Sequence, residues 1–147
     1  MKRARVMWQD AACDAVAVAE GLKLVSGPDQ GRVLREDEAQ WLPPVVPGSI
    51  FALGLNYADH AKELAFKAPE EPLVFLKGPN ALTGHKGRSR RPQGVTYMHY
   101  ECELAVVIGK TARRVKRADA YQHVAGYTVA NDYAIRDYLE NWYRPNL

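Results

Sequence analysis

Val16 and Val18 alternate with small residues, Glu20-Gly21 offers a turn, and Leu22 and Leu24 resume the alternation. A period of two on both sides of a turn predicts a β-hairpin with one buried face. Gly27-Pro28-Asp29 then interrupts the pattern. The first forty or so residues therefore read as a small β-rich unit. The stretch Trp41 to Gly48 is rich in proline yet apolar, which suits a stiff connection lying on the protein better than a free linker.

From Ser49 the pattern changes from alternation to short continuous apolar runs. Ile50 to Leu55 and Leu73 to Leu76 are such runs, each expected to be a strand buried on both faces. Between them Asn56 is placed to cap a helix over about Ala58 to Phe66, which Pro69 and Pro72 prevent from continuing. Gly84 to Gly94 is basic and without period, hence a loop. Tyr100 to Ile108 reads as the longest strand, with its Leu104 to Ile108 part buried on both faces. Ala118 to Val124 suggests a short helix, Gly126 to Ala130 a strand, and Ile135 to Tyr143 a final helix. The expected fold class is α+β, mainly β, in two parts: a β-rich N-terminal unit over residues 1–47 and a second domain over 48–147.

Composition narrows the class without naming a function. Of the 147 residues, 47% are hydrophobic and 25% charged, the balance of an ordinary globular domain. The net charge of +3 gathers at Lys86 to Arg91 and Lys110 to Arg117, which can attract small anions but falls short of a nucleic-acid footprint. No apolar run approaches the roughly 20 residues that span a bilayer, and no apolar signal core follows the basic N-terminus, so a cytoplasmic, non-membrane protein is expected. Cys13 and Cys102 form neither a disulfide framework nor a C-x-x-C pair; each is expected as a small half-buried strand residue.

Three places carry residues suited to chemistry. Glu101 and Glu103 are two apart in a strand, so they share a face, with Cys102 and Leu104 on the other. Their Cα atoms lie roughly 6–7 Å apart. Buried together, such carboxylates repel, and a hard divalent cation with oxygen-only ligation relieves the repulsion. An E-x-E is also the ordinary pattern of a wet sheet face. Asp132, after the strand ending at Ala130, could add a third carboxylate, while Asn131-Asp132 is equally a turn or cap. His60 and Glu63 sit three apart on the expected helix, where a carboxylate beside an imidazole makes a proton relay or simply an exposed polar pair. Lys77 ends the second apolar run and either faces a cleft or lies on the surface. The basic run His85 to Arg91 reads as a solvated loop.

In order along the chain stand Gly54-x-Asn56-Tyr57-x-x-His60-x-x-Glu63, Pro72-x-x-Phe75-x-Lys77, Glu101-x-Glu103, Asn131-Asp132 and Arg136-Asp137. Over about Ile50 to Leu147 this series resembles the fumarylacetoacetate hydrolase family, and within it the bacterial homoprotocatechuate-pathway branch of decarboxylases and isomerases. The resemblance implies a rolled mixed β-sheet, incomplete here at its C-terminal end, and usually dimeric in the full-length form. It implies Glu101, Glu103 and Asp132 as ligands of one Mg²⁺ or Mn²⁺, with Ca²⁺ a possible substitute. His60 and Glu63 become a catalytic dyad on a lid segment, and Lys77 a residue beside the substrate.

The activity so implied is decarboxylation or enol–keto isomerisation of a dicarboxylic 2-oxo acid in aromatic catabolism, with the metal as Lewis acid and His60 moving the proton. Two alternatives stay open: an acylpyruvate-type C–C hydrolase, and an inactive fragment or partial subunit of such an enzyme. A small-molecule substrate and a homodimer are the expected partners, with no nucleic acid and no membrane. Compared with the family pattern the sequence ends early, so unpaired strand edges and exposed core are expected of the chain alone.

Overall fold

In the computed structural model the described residues are 1–57, 59 and 70–138. The chain divides into two compact units, Met1–Arg88 and Ser89–Leu147. The division falls at Arg88, inside the basic loop, whereas sequence patterning suggested a change at residue 47.

The first unit contains a five-stranded antiparallel sheet in the order β4-β3-β2-β1-β5. Its strands are β1 (Arg3–Trp8), β2 (Ala11–Val18), β3 (Gly21–Leu24), β4 (Val33–Leu34) and β5 (Gln40–Leu42). The expected hairpin is present, with Val18 opposite Gly21 and Ala15 opposite Leu24. An additional hairpin precedes it. Trp8 pairs with Ala11 across Gln9 and Asp10, both at positive φ (46° and 60°), the two-residue turn whose twist matches its strands. Alternation then places Ala4, Val6, Cys13, Ala15, Leu22, Leu24 and Leu34 in one buried cluster, with Trp8 and Trp41 packed against it. Trp8 Nε1 donates to Asp29 Oδ2 at 2.9 Å, and the Arg32 guanidinium lies 4.7 Å over the same ring, which anchors the loop after β3.

Several expectations for this unit need correction. Trp41 and Leu42 belong to β5, paired with Val6 and Arg5, so the proline-rich connection starts only at Pro43. Cys13 is fully buried and Cys102, in the second unit, is exposed; neither is half-buried. Strands β6 (Ile50–Gly54) and β7 (Leu73–Lys77) form where expected and pair antiparallel from Ile50–Lys77 to Gly54–Leu73. They are not buried on both faces: Phe51 is 69% and Leu76 68% exposed, and these two residues lie opposite each other. Continuous apolar runs signal burial only when something covers the second face, and within this unit nothing among the described residues does. The helix expected over Ala58 to Phe66 lies outside the described residues apart from Asp59.

The second unit is built on β9 (Cys102–Ile108) and β10 (Val124–Asn131), antiparallel with a bulge between Val124 and Gly126. A smaller ladder pairs β8 (Met98–His99) with β11 (Ala134–Ile135). The β9 strand starts two residues later than expected, and at seven residues it is shorter than the eight of β2 and β10. It is also buried on one face at most: Leu104 (61% exposed) and Val129 (73%) face each other on the open side. Arg117–His123 is helical as expected but in the tighter 3₁₀ form, and Arg136–Tyr138 is a single 3₁₀ turn after β11. The remainder of the expected final helix lies outside the described residues. Mainly β architecture is thus confirmed, and no helix among the described residues is long and apolar enough to cross a membrane.

Candidate metal-binding face and its relatives

The register of β9 and β10 decides which side chains meet. Ala130 stands opposite Glu103 and Asn131 opposite Cys102. The ladder continues one residue further, because the Asp132 backbone N–H donates to the Glu101 carbonyl at 2.8 Å. Directly opposed residues of an antiparallel pair point to the same side, and so do residues two apart on one strand. Glu101, Glu103 and Asp132 therefore share one face of the sheet. All three are half-buried, while Cys102 and Leu104 turn to the opposite, exposed side. Asn131 accepts the Glu101 backbone N–H on Oδ1 at 3.0 Å, which fixes the end of the pairing.

Sharing a face is not yet a metal cage. Among the described residues no three His, Cys, Asp or Glu side chains converge closely enough to hold an ion. The Glu101 carboxylate is turned onto the Arg136 guanidinium, which donates from Nη2 to Oε1. The same Nη2 lies 3.2 Å from His99 Nδ1. A guanidinium can only donate, so His99 Nδ1 accepts, and its proton sits on Nε2, 3.1 Å from the Tyr97 hydroxyl. The His99 Nδ1 to Glu101 Oε1 separation is 3.8 Å.

Arg136 is itself held in place by its neighbour. The Asp137 carboxylate accepts from the Thr96 backbone N–H at 2.7 Å, the Thr96 hydroxyl at 2.9 Å and the Tyr97 N–H at 3.1 Å. The Arg136 backbone N–H donates to the Tyr97 carbonyl at 2.9 Å. The Thr96 N–H holds the Asp137 carboxyl below its ordinary value, helped by the Thr96 hydroxyl, Tyr97 N–H and Arg91 charge and opposed by desolvation. The network joins Thr96 and Tyr97, β8, Glu101 just before β9, and the 3₁₀ turn through backbone and side-chain groups together.

Of the residues singled out in the sequence, the structure thus brings Glu101, Glu103 and Asp132 to one face. Lys77 is half-buried at the end of β7, its Nζ 6.0 Å from the Phe75 ring centre, in the first unit. His60 and Glu63 lie outside the described residues. The His85 to Arg91 run is irregular as expected, with Lys86 Nζ 3.5 Å from Glu36 and His85 edge-on to Trp41 at 4.8 Å. Sequence reasoning passed over His99 and the Thr96–Asp137 clasp. The spacing of His99 and Glu101 was a usable signal, since residues two apart in extended chain share a side.

The profile described as "Fumarylacetoacetate (FAA) hydrolase C-terminal" matches residues 49–146, well over half of the chain. The chain belongs to the fumarylacetoacetate hydrolase family. It is 60% identical over 136 residues to the 4-hydroxyphenylacetate degradation bifunctional isomerase/decarboxylase of Salmonella dublin, covering 88% of this chain and 30% of that protein. It is 70% identical over 107 residues to the homoprotocatechuate catabolism bifunctional isomerase/decarboxylase of Escherichia coli, covering 71% of this chain and 25% of that protein. The chain therefore spans under a third of the length of these curated relatives. Its fold is similar to the crystal structure of 5-carboxymethyl-2-hydroxymuconate delta-isomerase from Mycobacterium smegmatis, with a TM-score of 0.79 at 30% identity, covering 97% of this chain and 58% of that one. That solved structure shares the mainly β architecture described above.

Proposed function

We propose that this chain carries the metal-binding face of an enzyme that isomerises or decarboxylates a dicarboxylic 2-oxo acid in the breakdown of aromatic compounds. The observation that carries the reading is the cross-strand register that sets Glu101, Glu103 and Asp132 on one face. The names of the relatives in Salmonella dublin and Escherichia coli support the reaction class.

Three carboxylates form an all-oxygen donor set that fits Mg²⁺ or Mn²⁺, with Ca²⁺ as a substitute, and fits zinc poorly. Such a cation, when bound, supplies a Lewis acid for the 2-oxo oxygen as negative charge develops there. Glu101, Glu103 and Asp132 hold the cation. His60 and Glu63 act as the proton-moving pair, and Lys77 serves the substrate's negative charge. Metal binding, a cytoplasmic location and a homodimer belong to this same proposal, as does the absence of nucleic acid and membrane among the partners.

The test is calorimetric titration of the full chain with Mn²⁺ and Mg²⁺, beside Glu103→Gln and Asp132→Asn. Saturable binding lost in both variants supports the site. Binding that survives both removes it. Release of CO₂ and enol–keto conversion of a dicarboxylic 2-oxo acid, followed with and without Mg²⁺, then tests the reaction class.

A further inference from the structure

Arg136 donates to Glu101 Oε1 and to His99 Nδ1 from one nitrogen, while its buried Nε finds no hydrogen-bond partner among the described residues. Both members of the ion pair are partly buried, with side chains 22% and 23% exposed, so the pair is less screened than a surface one. We infer that Arg136 and a divalent cation are rivals for the Glu101 carboxylate, Arg136 being the protein's own countercharge for the acidic face. The inference rests on the proposed metal-binding reading and adds a residue to it.

Carboxylates on one face repel one another, and a positive charge beside one of them relieves that repulsion. Arg136 supplies such a charge from the neighbouring 3₁₀ turn by engaging Glu101 Oε1. With Oε1 engaged in this way, Glu101 does not form with Glu103 and Asp132 a cluster that could hold an ion. A hard divalent cation binds the same oxygen more strongly than one arm of a guanidinium does, but it has to take Glu101 from Arg136 or share it against the Arg136 charge. The backbone anchors leave room for this exchange. Asp137 is clasped to Thr96 and Tyr97, which fixes the turn, whereas the guanidinium end is joined to Glu101 and His99 through Nη2. Arg136 is thus a positioning residue: it keeps the acidic face assembled and sets how tightly a metal binds there.

The experiment compares the full wild-type chain with Arg136→Gln and Arg136→Lys, reading Mn²⁺ affinity and thermal midpoint with and without saturating Mn²⁺. Loss of the positive charge in Arg136→Gln is expected to tighten Mn²⁺ about tenfold, with Arg136→Lys close to wild type. Without Mn²⁺ the Gln variant melts earlier than wild type, and saturating Mn²⁺ closes the gap, because a ligand that replaces the lost charge stabilises the variant more. A residue with a merely structural role would lower the midpoint equally in both conditions. An equal loss, or Mn²⁺ binding unchanged or weakened in Arg136→Gln, overturns the inference, provided wild type binds Mn²⁺ and Glu103→Gln does not. If wild type fails to bind Mn²⁺, or Glu103→Gln binds as well as wild type, the metal-binding reading itself falls. In the unaltered chain the guanidinium ¹⁵N resonances of Arg136 are expected to shift on Mg²⁺ addition; resonances that stay in place overturn the rivalry even if Arg136→Gln does not fold.

Discussion

Asp132 stands opposite Glu101, joined to it by a backbone hydrogen bond of 2.8 Å from the Asp132 N–H to the Glu101 carbonyl. Beyond that bond the Glu101 N–H turns to the Asn131 side chain, which accepts it at 3.0 Å. The end of the β9–β10 ladder is therefore sealed by a side chain in place of a backbone carbonyl, and the position of two candidate ligands depends on it.

Asn131→Ala removes that acceptor and leaves the Glu101 N–H to water. A cost of about 1 kcal/mol is expected, within the range for a single hydrogen bond at a partly exposed site. Urea denaturation followed by circular dichroism measures it, and Asn131→Asp, which keeps an acceptor oxygen, should lose less.

The Asp137 clasp should be acid-sensitive. Its carboxyl is held below the ordinary 3.8, chiefly by the Thr96 N–H, so the group binds protons more weakly folded than unfolded. Its contribution is therefore present above the unfolded value and lost as pH falls through the lower folded one. Amide exchange at Thr96 and Tyr97, followed by NMR from pH 6 downward, should accelerate only below about pH 4 in excess of the intrinsic rate. In Asp137→Asn that acid-dependent excess should be absent.

The N-terminal core offers a packing test. Leu24 is fully buried, and Leu24→Ala is expected to cost about 2–5 kcal/mol. Gly27 has φ +89°, and a Cβ there would lie 2.3 Å from the buried Cys13 Sγ. Gly27→Ala therefore meets both a backbone and a steric penalty, about 1–3 kcal/mol together. Chemical denaturation of both variants checks the ranking.

The open side of β9–β10 carries Leu104 opposite Val129 and Val106 opposite Tyr127, all exposed. A contiguous apolar patch of this kind binds hydrophobic dyes and promotes association. Val129→Lys with Val106→Glu should lower dye fluorescence and sedimentation of aggregates while leaving the strand circular dichroism unchanged. Unchanged dye binding would show that the fluorescence arises elsewhere.

Local pattern made the strands legible. Alternation at Val16, Val18, Leu22 and Leu24 identified the first hairpin, and apolar runs located β6, β7, β9 and β10 to within a few residues. The turn at Gln9-Asp10 escaped notice because neither residue is glycine, yet both adopt positive φ. Burial was the larger error. A run such as Leu104-Ala105-Val106-Val107-Ile108 shows that a strand is apolar on both faces, but whether a second layer covers each face is a property of other parts of the structure.

The sequence by itself determined the family and the spacing of the acidic residues, because both depend on residue order and on the two-residue period of a strand. It could place Glu101 beside Glu103 for the same reason. Only the tertiary structure decided that Asp132 faces Glu101, since cross-strand register is set by pairing between segments far apart in the chain. It also decided that Arg136, thirty-five positions away, reaches the Glu101 carboxylate, a contact that no local periodicity encodes.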